Sequence, residues 1–506
     1  MTKSRQYKVQ QGLVKVLKLQ VRPENVEDGR SIQEKMELMK ILHDVEINTE
    51  KKHGLTLTNH PVPNSYLYQG DIVLNLAQAQ ALKDISSGRQ KRKLIANLAE
   101  RWQLPIQYSL DTRYTSDERQ FVEQALQAWE QVTCITFKEV NYSYGISIDD
   151  PIVQFVRGEG CWSSVGRNSS TTQKVSIGSG CFMVGVIAHE IGHVIGFWHE
   201  QSRPDRDNHV IINFDNVQYG NAGNFQVQSW QNVDNKDIPY DVGSIMHYGS
   251  MAYTREGKRT IETRDPLLQH TIGQREAMSF YDIKLANLAY CQAICDPKLL
   301  KSECLHDGYQ NPKDCRRCRC PDGLTGPYCE QVALSYRAKC GGVVNVSSDL
   351  KYIETPSFPG EYNAGVMCNW LLRAPVGSNI YLHLRDDFVQ YQQCANTETE
   401  VCRDYIEVKY YNNLAGTGAR FCCSKKPKGI IRSHGNTMLV LFRSLGNGTL
   451  GFRASVSTES CGGCAAATPP SQKSCLKRVS YSCAKTWKRK AIKQCSWWTD
   501  KCGYSM

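Results

Sequence analysis

The chain has 506 residues, too many for one domain at roughly 100–200 residues each, so about three or four are expected. Apolar residues make up 41% and charged residues 22%, an ordinary globular balance, and a net charge of +11 over this length does not call for nucleic acid. No apolar run reaches the roughly 20 residues that cross a bilayer as a helix, so no membrane span is expected.

Cysteine is the informative count. There are 22, none before Cys134, with crowded spacings such as CRRCRC late in the chain. An even number spaced this way reads as a disulfide framework in an oxidising compartment. The N-x-S/T sequons at Asn141, Asn168, Asn345 and Asn447 fit secretion and glycosylation. The start, MTKSRQYKVQQGLVKVLKLQ, lacks the apolar core of 7–15 residues that a signal peptide needs. The cysteines outweigh it, so Met1 is expected not to be the true translation start. Sequencing the 5′ end of the transcript decides this.

Residues 1–92 lack cysteine. SIQEKMELMKILHDVEINT (31–49) predicts a helix with Ile32, Met36, Met39, Ile41 and Leu42 on a broad stripe. The region ends in SGRQKRK, where Arg89, Lys91 and Arg92 form a basic stretch. Such stretches are usually solvated charge runs, but this one sits where composition changes, which favours a processing site. Residues 93–291 read as one body. DERQFVEQALQAWEQVT (117–133) predicts an amphipathic helix with Phe121, Ala125, Ala128, Trp129 and Val132 at helical spacing, and CITFKEV predicts a strand after it. MVGVIAHEIGHVIGFW predicts a second long helix.

That second helix carries HEIGHVIGFWHE, residues 189–200. Helical residues i and i+4 share a face, so His189 and His193 can aim imidazole nitrogens at one point. Two neutral imidazoles about 2.0–2.1 Å from a metal suit Zn²⁺. Glu190, one step round the helix, stands where a general base for metal-activated water belongs. Gly196 can end the helix in a left-handed conformation, and the returning chain brings His199 as a third ligand. Three protein ligands leave a fourth position open, the pattern of a catalytic zinc. A lone histidine on an apolar face is more often a satisfied core residue. Here three histidines, a glutamate and a glycine would have to fall at H-E-x-x-H-x-x-G-x-x-H by accident, and the extended motif is a metzincin signature. SIMHYG (244–249) adds Met246, which alone would read as core packing but in this combination suits a methionine turn beneath the metal.

HEIGHVIGFWHEQSRPDRDNHVIINFDNV, with GEGCWSSVGR (158–167) and SIMHYG, resembles the astacin family of zinc endopeptidases from about Trp102 to Cys291. The resemblance implies an α+β metzincin catalytic domain with two long helices, a mixed sheet and one zinc in the cleft. It implies that Glu200, directly after the third histidine, receives the new N-terminus once a propeptide is removed. It also implies that Tyr248 binds the resting zinc and swings off to hydrogen-bond the oxyanion. Zinc would lower the pKa of its water towards 7, Glu190 would take a proton as that water attacks, and Glu190 would return it to the leaving amine. Arg275, in IGQREAMS, matches the family position lining the pocket for the residue after the cut, where it would favour an acidic side chain; a solvated surface arginine is the alternative. YQGDI (68–72) is similar to the F-x-G-D motif of astacin propeptides, so Asp71 would cap the zinc as a zymogen switch; read alone, Gly-Asp is a turn. A cut after Arg92 would leave Lys93 as the new start. The family pairs would be Cys134–Cys291 and Cys161–Cys181.

Residues 292–330 resemble an EGF module, implying Cys295–Cys315, Cys304–Cys318 and Cys320–Cys329; a zinc knuckle is the alternative for CRRCRC. Residues 340–457 alternate apolar and polar in runs such as YIEVKYY and TMLVLFRS, which suggests a β-sandwich, and they resemble a CUB domain. Cys340–Cys368 is its natural first bridge, and Cys394 and Cys402 have Cys422 and Cys423 as possible partners. Asp404 matches one member of a calcium-binding acidic cluster, but Leu445 stands where a later aspartate belongs, so calcium is not expected. Residues 461–506 hold six cysteines and nine Lys or Arg against one acid, and faintly resemble a thrombospondin type 1 repeat. Polyanion binding, to heparan-like glycans or matrix, and a solvated basic tail are both open there. The order of modules is similar to nematode astacins, which implies matrix or cuticle remodelling. The rival reading is a catalytically dead extracellular binding protein working through its EGF and CUB modules. Against it, His189, Glu190, His193, His199 and Tyr248 are all present, and a structural matrix protein would show repeats that are absent.

Overall fold

The structure, a computed structural model, describes residues 28, 30–55, 66–88, 101–140, 151–167, 172–230, 233–384, 402, 404–422, 427, 429–448 and 451–459. Asn141, Asn168, the stretch Arg89–Lys93, Cys394, Cys423 and the basic tail lie outside the described residues. These residues divide into two compact units, one of residues up to Ser302 with Tyr309–Arg317, the other of Glu303–Gly308 and Cys318 onward.

The first unit begins with helix α1 (Ile32–Lys52), opened by a capping box in which Ser31 accepts from the Glu34 amide and Glu34 reaches back to Ser31. Its buried stripe differs from the expected one. Leu38, Ile41 and Val45 face inward together with Glu46, Thr49 and Glu50, whereas Ile32 and Met36 are 78% and 66% exposed. The polar residues of the inward face, invisible to a count of apolar side chains, set the rotation of the helix. Helix α2 (Leu76–Ser86) packs beside it, and Tyr66, Leu67, Tyr68, Ile72 and Leu74 complete a shared core with Trp162 and Val165.

The peptidase body holds a five-stranded sheet ordered β2-β1-β3-β5-β4, from β1 (Ile106–Leu110), β2 (Phe137–Glu139), β3 (Val153–Val156), β4 (Cys161–Trp162) and β5 (Gln173–Ile177). All neighbours run parallel except the edge strand β4, which runs antiparallel to β5. Helix α3 (Ser116–Val132), capped by the Thr115–Glu118 box, buries Val122, Ala125, Leu126 and Trp129. Ala125 and Trp129 lie inward as expected, whereas Phe121, Ala128 and Val132 are half-buried at the edge of the stripe. Helix α4 (Val184–Val194) is buried almost throughout and packs on α3, with Trp129 Nε1 donating to the Ala188 carbonyl at 3.0 Å. It is shorter than the apolar run suggests: Ile195 caps it, and Gly196 at φ +109° turns the chain away. Strands β6 (Val210–Ile212) and β7 (Ile261–Thr263) form a ribbon, and helix α5 (Phe280–Tyr290) closes the unit. Disulfides join Cys134 to Cys291 and Cys161 to Cys181.

Residues 292–330 fall partly in each of the two units. They contain short strands β8 (Tyr309–Asn311), β9 (Asp314–Arg319) and β10 (Leu324–Thr325) and the bridges Cys295–Cys315, Cys304–Cys318 and Cys320–Cys329. So short a stretch has little core of its own. In the first unit Tyr309 accepts from Asn287 Nδ2 at 2.8 Å, and in the second Leu324 joins Leu371, Leu439 and Leu441.

The second unit pairs β10 with β11 (Gln331–Val332) and then builds a sandwich. One sheet is β12-β14-β19-β16-β17, from β12 (Gly342–Asn345), β14 (Met367–Arg373), β16 (Tyr405–Lys409), β17 (Ala419–Phe421) and β19 (Thr437–Arg443). The other is β13-β20-β15-β18, from β13 (Lys351–Glu354), β15 (Tyr381–Leu384), β18 (Ile431–Arg432) and β20 (Arg453–Ser457). Cys340 pairs with Cys368 and Cys402 with Cys422. Asn345 and Asn447 are exposed. Asp404 is saturated by protein donors, the Leu445 and Gly446 amides at 2.6 and 3.2 Å and the Tyr362 hydroxyl at 3.1 Å. Among the described residues no helix is long and apolar enough to cross a membrane.

Candidate active site

His189 and His193 lie one turn apart on α4, and the break at Gly196 returns the chain so that His199 faces them. The three imidazoles are buried, with ring centroids 4.8–5.3 Å apart. Each Nδ1 meets an oxygen: His189 the Ile245 carbonyl at 2.8 Å, His193 the Phe197 carbonyl at 2.7 Å, and His199 the Gln69 side-chain oxygen at 2.7 Å. An oxygen at Nδ1 places the ring proton there and leaves Nε2 as the free lone pair, the orientation that metal-binding histidines need.

The fourth member is Asp71. Its Oδ2 lies 3.2 Å from His189 Nε2 and 3.1 Å from His199 Nε2, and its Oδ1 is 3.8 Å from His193 Nε2. All four ligand atoms fall within 4.8 Å of one another. Ligands 2.0–2.1 Å from a tetrahedral zinc sit about 3.3 Å apart, so the spacing fits a zinc among them. A second observation agrees: His193 Nε2 and Asp71 Oδ1 are buried with no hydrogen-bond partner, a cost that a cation between them removes. Burial first, then the neighbouring Arg275 charge, lowers His189 to about 4, and burial with the His189 charge holds His193 well below its ordinary value, which keeps the rings neutral. Burial pushes Asp71 up, but His199, His189 and His193 outweigh it and hold it well below the usual carboxylate range.

Asp71 is presented by a tight turn. Tyr68 and Ile72 exchange backbone hydrogen bonds at 2.9 and 3.0 Å around Gln69, Gly70 and Asp71. The returning strand lies along the sheet edge, with Ser163 N donating to Asp71 O at 2.8 Å and Val73 N to Ser163 O at 2.9 Å. The segment before the basic stretch is therefore threaded through the cleft.

Glu190 is 1% exposed, and its Oε2 has no hydrogen-bond partner. Burial and then the Asp71 charge push its carboxyl well above the usual range, with Arg275 opposing. Met246 lies beneath α4: a Cβ on Gly192 would meet its sulfur at 2.7 Å, so glycine permits the contact. Its turn is pinned by Asp282, the acidic member of the capping box that Ser279 opens on α5, which accepts from Ser244 Oγ at 2.6 Å and Ile245 N at 2.8 Å.

The Tyr248 hydroxyl donates to the Gln69 carbonyl, and its ring lies 4.7 Å from that of His199. Arg275 is half-buried, with Nη1 donating to the His247 and Gln274 carbonyls at 2.9 Å each. Glu200 accepts from the Asp241 amide at 2.8 Å and pairs with Arg203 at 3.2 Å; burial raises it to about 8 against the pull of Arg203.

Sequence reasoning missed Gln69, which holds both His199 and Tyr248, and Glu46, whose carboxylate accepts from the Ala222 amide at 2.7 Å and from Gly223. Gln69 sits inside the quoted YQGDI, the one signal that could have found it. Nothing in the sequence pattern marks Glu46.

Three histidines of one extended motif on a broken helix, a buried glutamate beside them and a methionine turn beneath define a zinc endopeptidase of the metzincin kind. Residues 94–291 match the peptidase family described as Astacin, and residues 340–455 match the CUB domain. The zinc metalloproteinase dpy-31 of Brugia malayi is 41% identical over 414 residues, covering 80% of this chain and 67% of that protein. The zinc metalloproteinase nas-36 of Caenorhabditis briggsae is 39% identical over 436 residues, 83% and 67% respectively. Among solved structures, the hatching enzyme HCE-1, a zinc-protease from medaka (Oryzias latipes), is 34% identical, covering 38% of this chain and 96% of that one, with a TM-score of 0.35. The chain belongs to the astacin family of zinc metalloendopeptidases. It spans about two thirds of the length of these nematode relatives.

Proposed function

We propose that the chain is a secreted zymogen in which residues 1–92 are a propeptide, Asp71 is the switch, and cleavage after Arg92 frees an endopeptidase for extracellular matrix or cuticle proteins. The observation that carries this reading is the Asp71 carboxylate, within 3.2 Å of two of the three histidine nitrogens that would hold the metal. The module order given above and the nematode relatives support the substrate class, and the seven disulfides among the described residues support secretion.

His189, His193 and His199 would hold one zinc, which supplies Lewis acidity to water and to the scissile carbonyl. Glu190 accepts the proton of the attacking water, a role suited to a buried carboxyl with an unused oxygen, and then protonates the leaving amine. With Gln69 gone, the Tyr248 hydroxyl is free to donate to the oxygen on which negative charge develops. Arg275, deep in the same site, favours an acidic residue after the cut. The Glu200 carboxylate, held by Arg203 and the Asp241 amide in the pro-form, receives the new N-terminus. The tail 461–506 contributes polyanion binding, which fails if heparin affinity survives its deletion.

The test uses the full chain, supplied with zinc, before and after cutting at the basic stretch, against a peptide library. The expected result is latency before the cut, cleavage after it with Asp or Glu favoured just past the scissile bond, and latency lost in Asp71→Ala without any cut. Equal activity of uncut and cut wild type would remove Asp71 as the switch, and indifference at the acidic position would remove Arg275.

A further inference from the structure

We infer that the mature enzyme has a tyrosine-selective substrate subsite beside the metal centre, the pocket that Tyr68 fills here, with Gln228 reading the phenol hydroxyl. The inference rests on the endopeptidase reading above and adds a substrate feature to it.

Tyr68 is 3% exposed, yet much of its enclosure comes from beyond the propeptide. The Trp198 indole meets it edge-on, with centroids 6.4 Å apart. The hydroxyl points at the Gln226 carbonyl, 3.5 Å away, and accepts from Gln69 Nε2 at 3.1 Å. The Gln228 amide faces the same hydroxyl. Gln228 is buried, and neither its Nε2 nor its Oε1 has a formed hydrogen bond. A buried amide left this way is costly, and a phenol hydroxyl bonded to it relieves the cost. Gln69 leaves with the propeptide, so in the mature enzyme Gln228 is the side chain positioned to take its place at an incoming hydroxyl.

The pocket is registered to the metal site. Trp198 directly precedes the ligand His199. Gln228 N donates to the Ser202 carbonyl at 2.8 Å, and Ser202 in turn donates to the His199 carbonyl through N at 3.1 Å and Oγ at 2.7 Å. Both walls are therefore fastened to the backbone of one ligand, and the Gln228 wall is also met from the propeptide side, where Thr49 Oγ1 donates to Gln226 Oε1 at 3.0 Å. The propeptide also lies along Ser163 at the sheet edge as an added strand, the mode in which extended peptides dock. Its departure uncovers Trp162, Val165 and Trp198, an apolar wall that continues the pocket. Apolar walls ending in an unsatisfied amide fit a tyrosine side chain better than phenylalanine, since a site built to bond a hydroxyl rejects the analogue that lacks it.

The experiment uses the full chain cut at the basic stretch and carrying Glu190→Ala, so that bound peptides persist. Calorimetry compares the peptide of residues 66–74 with its Tyr68→Phe and Tyr68→Ala versions. Phenylalanine is expected to weaken binding about tenfold and alanine further, and the Tyr-to-Phe gap is expected to close in Gln228→Met. The cut wild-type chain should show the same Tyr-over-Phe ratio in kcat/KM at one substrate position. Equal binding of the three peptides, no binding of any, or a gap that survives Gln228→Met overturns the inference. The peptide changes test it even if the Gln228 variant fails to fold. If the binding series holds but the cut wild-type chain hydrolyses nothing, the endopeptidase reading fails and the pocket stands.

Discussion

Glu190 in the first unit and Glu407 in the second are equally hidden, at 1% and 3% exposed, but they are treated in opposite ways. Glu407 receives the Arg420 Nε at 2.9 Å, the Gly418 amide at 3.0 Å and Lys409 Nζ at 3.8 Å. Burial pushes its carboxyl up, but those partners overcome it and hold it below its ordinary value. Glu190 has an oxygen with no partner at all, and burial with the Asp71 charge drives it far upward. A satisfied buried carboxylate holds a fold together. An unsatisfied one costs stability and is kept where a proton must move.

The largest expected effect breaks the comparison from the Glu190 side. Glu190→Ala should lower kcat/KM of the processed chain by about a hundred- to ten-thousand-fold while zinc content and the thermal midpoint stay near wild type. Peptide hydrolysis and metal analysis on one preparation check it. From the other side, Glu407→Ala removes the carboxylate shared by Arg420, Lys409 and the Gly418 amide and should destabilise the second unit by about 3 kcal/mol, with hydrolysis of short peptides unchanged. Denaturant unfolding followed beside peptide cleavage measures both.

Glu46 is an intermediate case, satisfied by two amides yet raised to about 7 because burial outweighs them. A docked pKa above the ordinary 4.5 means that docking takes up a proton. The grip of α1 on the Ala222 and Gly223 amides is then strongest at low pH and is lost as pH rises through about 7. The urea midpoint for release of α1 should therefore fall between pH 5 and pH 8 in wild type and fall less in Glu46→Gln. The smallest effect belongs to the surface: Met36→Lys should change stability by no more than about 0.5 kcal/mol, because that side chain faces solvent.

The cluster of His189, His193 and His199 was legible because coordination demands fixed residue types at fixed spacing, and α4 with the break at Gly196 delivers that spacing. Asp71 was legible only through its likeness to a motif, since Gly-Asp alone is a turn. The α1 stripe was misread because its inward face ends in Glu46, Thr49 and Glu50, which bind backbone and side-chain groups near residues 220–226. The capture of Tyr248 by Gln69, and the pocket of Trp198 and Gln228, join residues more than a hundred positions apart, and no local pattern encodes such pairs.

The most direct measurement is the zinc content of the purified full chain beside that of its His193→Ala variant. One zinc per chain in wild type, with a large loss in the variant, is the expected result. A wild-type chain that binds no zinc, or a variant that keeps a full equivalent, would contradict the metal site from which the catalytic reading is built.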